Sequence, residues 1–301
     1  KHYRFGSVAA QQTLWDFGRR QSHTKAMEAL RDATTHAVLD RSQDVTFEVI
    51  TTYLGLLHNA SRIQSLNREE KTVVEHRRVA QALYEAGSVT RNDLLQADVR
   101  LAAVKHHLLA AITNENTQYQ HLAFLIGSTE NDRPNLVAPQ TVSVAVHDEN
   151  PLRLVADRPD LRSYRFRIQA SDNLAEEQKQ RFYPEFFVRV SADYLENSHL
   201  REQTMLSGTI GLSINLFDGF ASSAARAKAL LERDRLRDQL VAQERQAVLE
   251  LTTARQILTL ARERIAVTQK AIVQAEENLR INKNRYQERV GTASDVLDAQ
   301  S

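Results

Sequence analysis

The sequence predicts a mainly helical protein with a few β-strands, built from two copies of one unit. Three observations lead there. The stretch from Tyr84 to Ala97 has an echo from Tyr286 to Ala299: Tyr84 maps to Tyr286, Asp93 to Asp295, Leu95 to Leu297 and Ala97 to Ala299, always 202 positions on. Leu14-Trp15-Asp16 and Leu216-Phe217-Asp218 keep the same offset, and one gapless offset over that span marks an internal duplication. Helix breakers are scarce, with 9 Gly and 5 Pro in 301 residues, which leaves room for very long helices. Finally, apolar and polar residues alternate with period two near residues 10 and 210, as strands require. Each copy reads as strand, Asp/Gly corner, very long helix, tight turn and returning helix.

The first strand lies within residues 1–18. Val8, Ala10, Gln12 and Leu14 share one face, and their counterparts are Ile210, Leu212, Ile214 and Leu216. In the second copy Thr209, Gly211, Ser213 and Asn215 form the polar face. Asp16 with Gly18, and Asp218 with Gly219, mark the corners. Residues 19–127 form the first helical hairpin. Between residues 19 and 84 Gly55 is the one Gly or Pro, so the helix should extend roughly 100 Å at about 1.5 Å per residue. No globular core buries such a helix, and the expectation is an antiparallel coiled coil. Val45, Val49, Leu56, Ile63, Val73, Ala80 and Tyr84 make its seam, interrupted by Asn59, Glu70 and Arg77. Leu94, Ala97, Leu101, Val104, Leu108, Ala111, Leu122 and Leu125 continue it on the returning helix, which Gly127 stops.

Residues 128–157 read as irregular, with Pro134, Pro139, Pro151 and a short alternating run from Val142 to Val146. Arg158-Pro159-Asp160-Leu161 opens a shorter helix over 158–181, with Pro at a favoured first-turn position. Residues 182–221 then form a β-hairpin. Residues 222–301 hold the second long hairpin, cut short by the end of the chain. Its seam alternates steps of four and three through Ala247, Leu251, Ala254, Leu258, Ala261, Ile265, Thr268, Ile272, Ala275 and Leu279.

Composition excludes several classes. A formal net charge of +1 lacks the basic excess of a nucleic-acid binder. Without Cys there is neither a disulfide framework nor a thiolate metal site. No run of eighteen apolar residues forms a transmembrane helix, although alternating barrel strands would escape that test. The ten His have no metal-ligand spacing, His106 and His107 being adjacent, and read as surface or seam residues. Met27 and Met205 are isolated. There is no catalytic triad order, phosphate loop or nucleophile motif, so the chain reads as no enzyme and needs no cofactor.

The ordered motifs resemble the TolC-like outer-membrane efflux proteins, the exit ducts of tripartite efflux pumps and type I secretion systems. They are Leu14-Trp15-Asp16-Phe17-Gly18 with Leu216-Phe217-Asp218-Gly219; Tyr84 and Gly87 through Asp93-Leu94-Leu95-Gln96-Ala97; Arg158-Pro159-Asp160-Leu161 with Tyr183-Pro184; and Gly291-Thr292 through Asp295-Val296-Leu297-Asp298-Ala299. The resemblance implies a homotrimer in the outer membrane of a Gram-negative bacterium. Each chain gives four strands to one twelve-stranded transmembrane β-barrel, and the helices form a long periplasmic α-helical barrel. By that template the sequence lacks an N-terminal helix, the first strand and nearly all of the last helix. The implied partners are a periplasmic adaptor (membrane fusion) protein, an inner-membrane pump or ABC transporter, and outer-membrane lipid; nucleic acid is not among them. The sequence departs from a strict repeat at the second tip, where Gly291 follows Tyr286 by five residues and Gly87 follows Tyr84 by three.

The resemblance also assigns the site. Asp93, Asp295 and Asp298 match acids that gate the periplasmic aperture, where three-fold repetition crowds like charges and attracts cations. The local alternative is capping, because Thr90-x-x-Asp93 and Thr292-x-x-Asp295 both resemble capping boxes. Asp298 lies one turn beyond that explanation, opposite Gln96 in the first copy. Gly87, Ser88, Val89, Gly291 and Thr292 are the adaptor-contact tips, where small residues permit close approach. Arg91 and Arg289 are either ionic links across the tip or solvated surface charges. Trp15, Phe17, Phe217 and Phe220 either pack the strand-to-helix junction or belong to an interfacial belt. A periplasmic adaptor or coiled-coil scaffold without channel activity is the alternative function. An adaptor usually has one hairpin between compact β domains, whereas here two hairpins alternate with membrane-like strands.

Overall fold

The computed structural model describes residues 4–128, 133–139, 150–196, 202–288 and 290–300. The elements are β1 (Phe5–Trp15), α1 (Arg19–Glu85), α2 (Arg91–Leu125), α3 (Pro151–Val155), α4 (Pro159–Gln180), β2 (Glu185–Leu195), β3 (Thr204–Ser213), α5 (Ala221–Gln287) and α6 (Ala293–Gln300). The fold is mainly helical with a few strands. Two compact units divide it: Lys1–Arg41 with Asp148–Thr252, and Ser42–His147 with Thr253–Ser301.

The first unit holds an antiparallel sheet in the order β1-β2-β3. Val8 stands opposite Ala192, which stands opposite Leu206, and Gln12 lines up with Val188 and Ile210 in the same way. One face is therefore largely apolar. The other carries Ser7, Gln11, Arg189, Ser191, Asp193 and Thr209, knitted by Ser7 Oγ donating to Asp193 at 2.6 Å and a 2.7 Å contact between the Ser191 and Ser207 hydroxyls. Phe187 lies across from Gly211, where an added methyl group would collide with its ring.

Each strand-to-helix corner needs two successive residues with positive φ. They are Phe17 (53°) and Gly18 (90°), then Gly219 (64°) and Phe220 (67°), again 202 positions apart with the residue types exchanged. An aspartate closes each corner. Asp16 Oδ2 accepts from the Arg20 backbone at 3.1 Å, and Asp218 Oδ2 from the Ser222 backbone at 3.0 Å, satisfying helix donors that lack intrahelical partners. Trp15, Phe217 and Phe220 remain mostly exposed. Phe17 sits 5.6 Å from the Tyr183 ring, so packing within this chain accounts for Phe17 better than for the other three.

In the same unit α4 packs on the flanking parts of α1 and α5. Ala26, Ala29 and Ala33 of α1, Leu161 and Ala170 of α4, and Ala247 of α5 are buried. The Arg158 motif does more than open a helix. Its guanidinium holds both oxygens of Asp160 at 2.9 and 3.1 Å and reaches Glu250 of α5 at 2.9 Å, while Gln243 donates to Asp160 at 3.2 Å. These partners raise the Arg158 pKa, chiefly through the hydrogen bond to Asp160. The segment read as irregular contains one helical turn, α3. Asn150 Oδ1 caps it by accepting from Leu152 N at 3.0 Å, and Pro151 begins it. The run from Val142 to Val146 lies outside the described residues.

In the second unit α2 returns along α1. All eight residues expected on the α2 seam are buried or half-buried. Facing them, Leu56, Val73 and Ala80 are buried. Asn59, which breaks the apolar pattern, is 3% exposed and donates to the Ala111 carbonyl at 2.8 Å. Burying an amide is tolerable when its hydrogen bond is made. Arg77 pairs with Asp98 at 2.6 Å and Glu69 with Arg100 at 2.8 Å. The α5 stripe behaves differently: Ala254, Ala261, Ile265, Thr268, Ile272 and Ala275 are exposed. Its sequence pattern is that of a seam, but among the described residues these six positions stay uncovered.

Candidate functional site

The candidate site comprises the two helical turns of the second unit and the acids beside them. The first turn closes α1 with a left-handed glycine. Gly87 has φ +72°, its N–H donates to Tyr84 O at 2.9 Å, and Ser88 N donates to Leu83 O at 2.8 Å. That pairing is a Schellman cap. An added Cβ at Gly87 would meet nothing within 4 Å, so backbone conformation, rather than close approach, demands glycine there. The second turn is built otherwise. Val290 and Gly291 both donate to Arg285 O, at 2.8 and 3.0 Å, and Gly291 has no positive φ. A Cβ at Gly291 would lie 3.1 Å from Arg285 Cβ, so here space is the constraint. Ser88 and Thr292 are exposed and Val89 half-buried.

Both Thr-x-x-Asp motifs close helix starts. Asp93 Oδ2 accepts from the Thr90 N–H and the Thr90 hydroxyl, each at 2.8 Å. Asp295 Oδ2 accepts from Thr292 N at 2.8 Å, and Thr292 Oγ1 accepts from Asp295 N at 3.2 Å, a reciprocal capping box. These bonds, the Thr292 backbone donor first, hold the Asp295 carboxyl below the usual range. Asp298 is exposed. Arg91 is exposed and makes no ion pair among the described residues; Arg289 lies outside them.

The structure adds to the site two residues that the sequence alone does not assign to it. Tyr286, the counterpart of Tyr84, is half-buried. Burial raises its pKa, and the negative charge of Asp93 raises it further. His76, on α1, is 9% exposed, and its ring centroid lies 6.3 Å from that of Tyr286. Nothing local announces this pairing, because the two residues are 210 positions apart. Among the described residues no group of His, Asp or Glu could hold a metal.

The chain's likeness to known proteins agrees with this architecture. It is 22% identical over 214 residues to an uncharacterized protein of Haemophilus influenzae, covering 69% of this chain and 47% of that protein. It is 30% identical over 135 residues to the multidrug resistance outer membrane protein MdtP of Shigella flexneri, covering 43% of this chain and 26% of MdtP. The chain thus spans under half the length of these curated relatives. Among solved structures, the outer membrane protein VceC of Vibrio cholerae superposes with TM-score 0.83 at 19% identity, over 99% of this chain and 80% of VceC. A membrane protein from Pseudomonas aeruginosa gives TM-score 0.86 at 18% identity, over 99% and 77%. These likenesses give the fold. The model of the family described as outer membrane efflux protein matches residues 3–128 and 151–301, and with nearly the whole chain inside that match, the protein belongs to the outer membrane efflux protein family.

Proposed function

We propose that the chain is part of a trimeric exit duct that carries solutes passively across the outer membrane and the periplasm. The sheet is the observation that supports this most strongly. Val8, Leu206 and Ile210 share its apolar face and are 76, 78 and 80% exposed. In water such a face is a liability; in hydrocarbon it is at rest. Among the described residues the outer edges of β1 and β3 have no partner strand, and unpaired backbone groups are expensive in lipid. Three strands cannot close a barrel, since the smallest transmembrane barrels have about eight. Further copies of the protein would supply the missing strands, and the same copies would cover the exposed α5 stripe as coiled-coil neighbours.

The equal bounds of α1 and α5 at a 202-residue offset, with the matched corners, support the internal duplication. In this reading Asp93, Asp295 and Asp298 ring the periplasmic aperture. The tips at Gly87, Ser88, Val89, Gly291 and Thr292 meet a periplasmic adaptor, and energy comes from an inner-membrane pump or ABC transporter. The full-length protein purified in detergent should scatter light as three copies and conduct ions in planar bilayers. A stable compact monomer without conductance would refute the reading.

A further inference from the structure

A groove of about 560 Å³ opens between α1, the end of α5 and α6, just before the second turn. His76 and Tyr286 both line it. The Tyr286 hydroxyl is buried without a hydrogen-bond partner, and His76 makes no hydrogen bond among the described residues. The other charges facing the groove are Lys71 and Glu75 from α1 and Lys283 from α5, while α6 contributes Val296. The two lysines stand exposed at the rim and offer no acceptor. Glu75 is engaged through both oxygens by Arg78, at 2.7 and 2.9 Å. From α2, Asp98 is taken by Arg77, and Asp93 acts on Tyr286 while holding Thr90. Among the described residues no carboxylate is paired with His76, and the open phenol oxygen beside it is a neutral acceptor that cannot balance a positive charge.

We propose that His76 is a proton-operated release for the second turn: neutral, it lets the end of α5 and α6 rest on α1, and protonated, it drives them off. This inference rests on reading the turns as the closing end of a duct. The cause is desolvation. An imidazolium in this seam, 9% exposed, loses much of its water and gains no anionic partner, and separation of the helices restores its hydration.

Burial holds His76 below the ordinary histidine pKa of about 6.5. The closed arrangement therefore binds fewer protons than the open one. Its stability is complete above pH ~6.5 and declines as pH falls from there toward the lowered value. Asp295 does not titrate in this window, because its own pKa is shifted down.

Hydrogen exchange read by mass spectrometry on the full-length assembly tests the proposal. Corrected for intrinsic exchange rates, protection of residues 281–296 should fall between pH ~6.5 and ~5.5, by up to about tenfold per pH unit, the ceiling for one linked proton. Protection over residues 97–111 should stay constant. His76→Phe and His76→Gln should each keep 281–296 protected at the lower pH, and the second variant serves if the first does not assemble. Acid loss that persists in an assembled variant, or its absence in the wild type, overturns the proposal. The readout needs no current, so a failure of the duct reading would appear in conductance and leave this result standing.

Discussion

Asp93 and Asp295 are each committed to a threonine three residues earlier, and Asp298 sits one turn further along α6. The spacing of three places Asp295 and Asp298 on one helix face, so in a trimer they would form two stacked rings. Asp295→Ala with Asp298→Ala should lower cation selectivity and abolish block by polyvalent cations, read as reversal potential and current in planar bilayers. Asp93→Ala should change selectivity less and fray the start of α2 instead, visible as lost amide protection there. The two tip glycines also separate. Gly87→Ala forces a left-handed alanine, at about 1–2 kcal/mol, with no steric clash to add. Gly291→Ala meets Arg285 Cβ and should shift the turn itself. Thermal midpoints of the two variants, compared with exchange around each turn, would distinguish strain from displacement.

Among the elements, α4 shows how a motif can mean more than its local signal. Read locally, Arg158-Pro159-Asp160-Leu161 starts a helix; in three dimensions it ties that helix to α5 through Glu250 and Gln243. Arg158→Ala should cost about 1–2 kcal/mol, a charged hydrogen-bond cluster discounted for its partial exposure. Ala97→Leu puts three extra carbons into a fully buried position between α1 and α2 and should cost about 1–3 kcal/mol. Denaturant midpoints of the full-length protein check both. The long helices were legible because breakers are scarce, Gly55 being the one Gly or Pro within α1, and the capping acids because Thr-x-x-Asp is a local pattern. The α5 stripe was legible as apolar spacing, but a heptad does not say which helix covers it, and here Ala261 and Ile272 lie open. His76 and Tyr286 were not legible as a pair, because their contact is made by the path of the chain and not by spacing.

For the whole molecule, the two faces of the sheet should answer differently to charge. Ile210→Arg on the apolar face should cost about 2–4 kcal/mol if that residue sits near the bilayer midplane. Thr209→Arg, one residue away on the polar face, should be tolerated. Folding of the full-length protein into lipid vesicles, followed through a urea titration, compares them. Tolerance of both variants alike would mean that neither face is turned to lipid. The crossing of Phe187 over Gly211 carries a mechanical consequence. Sliding β3 by two residues would bring Thr209 or Ser213 beneath a ring that has no room for a side chain. The pair acts as an indexing pin that blocks shear between neighbouring strands. Because strand number and shear together set the diameter of a barrel, the pin holds the β2–β3 share of that stagger at a fixed value in any barrel built on this sheet.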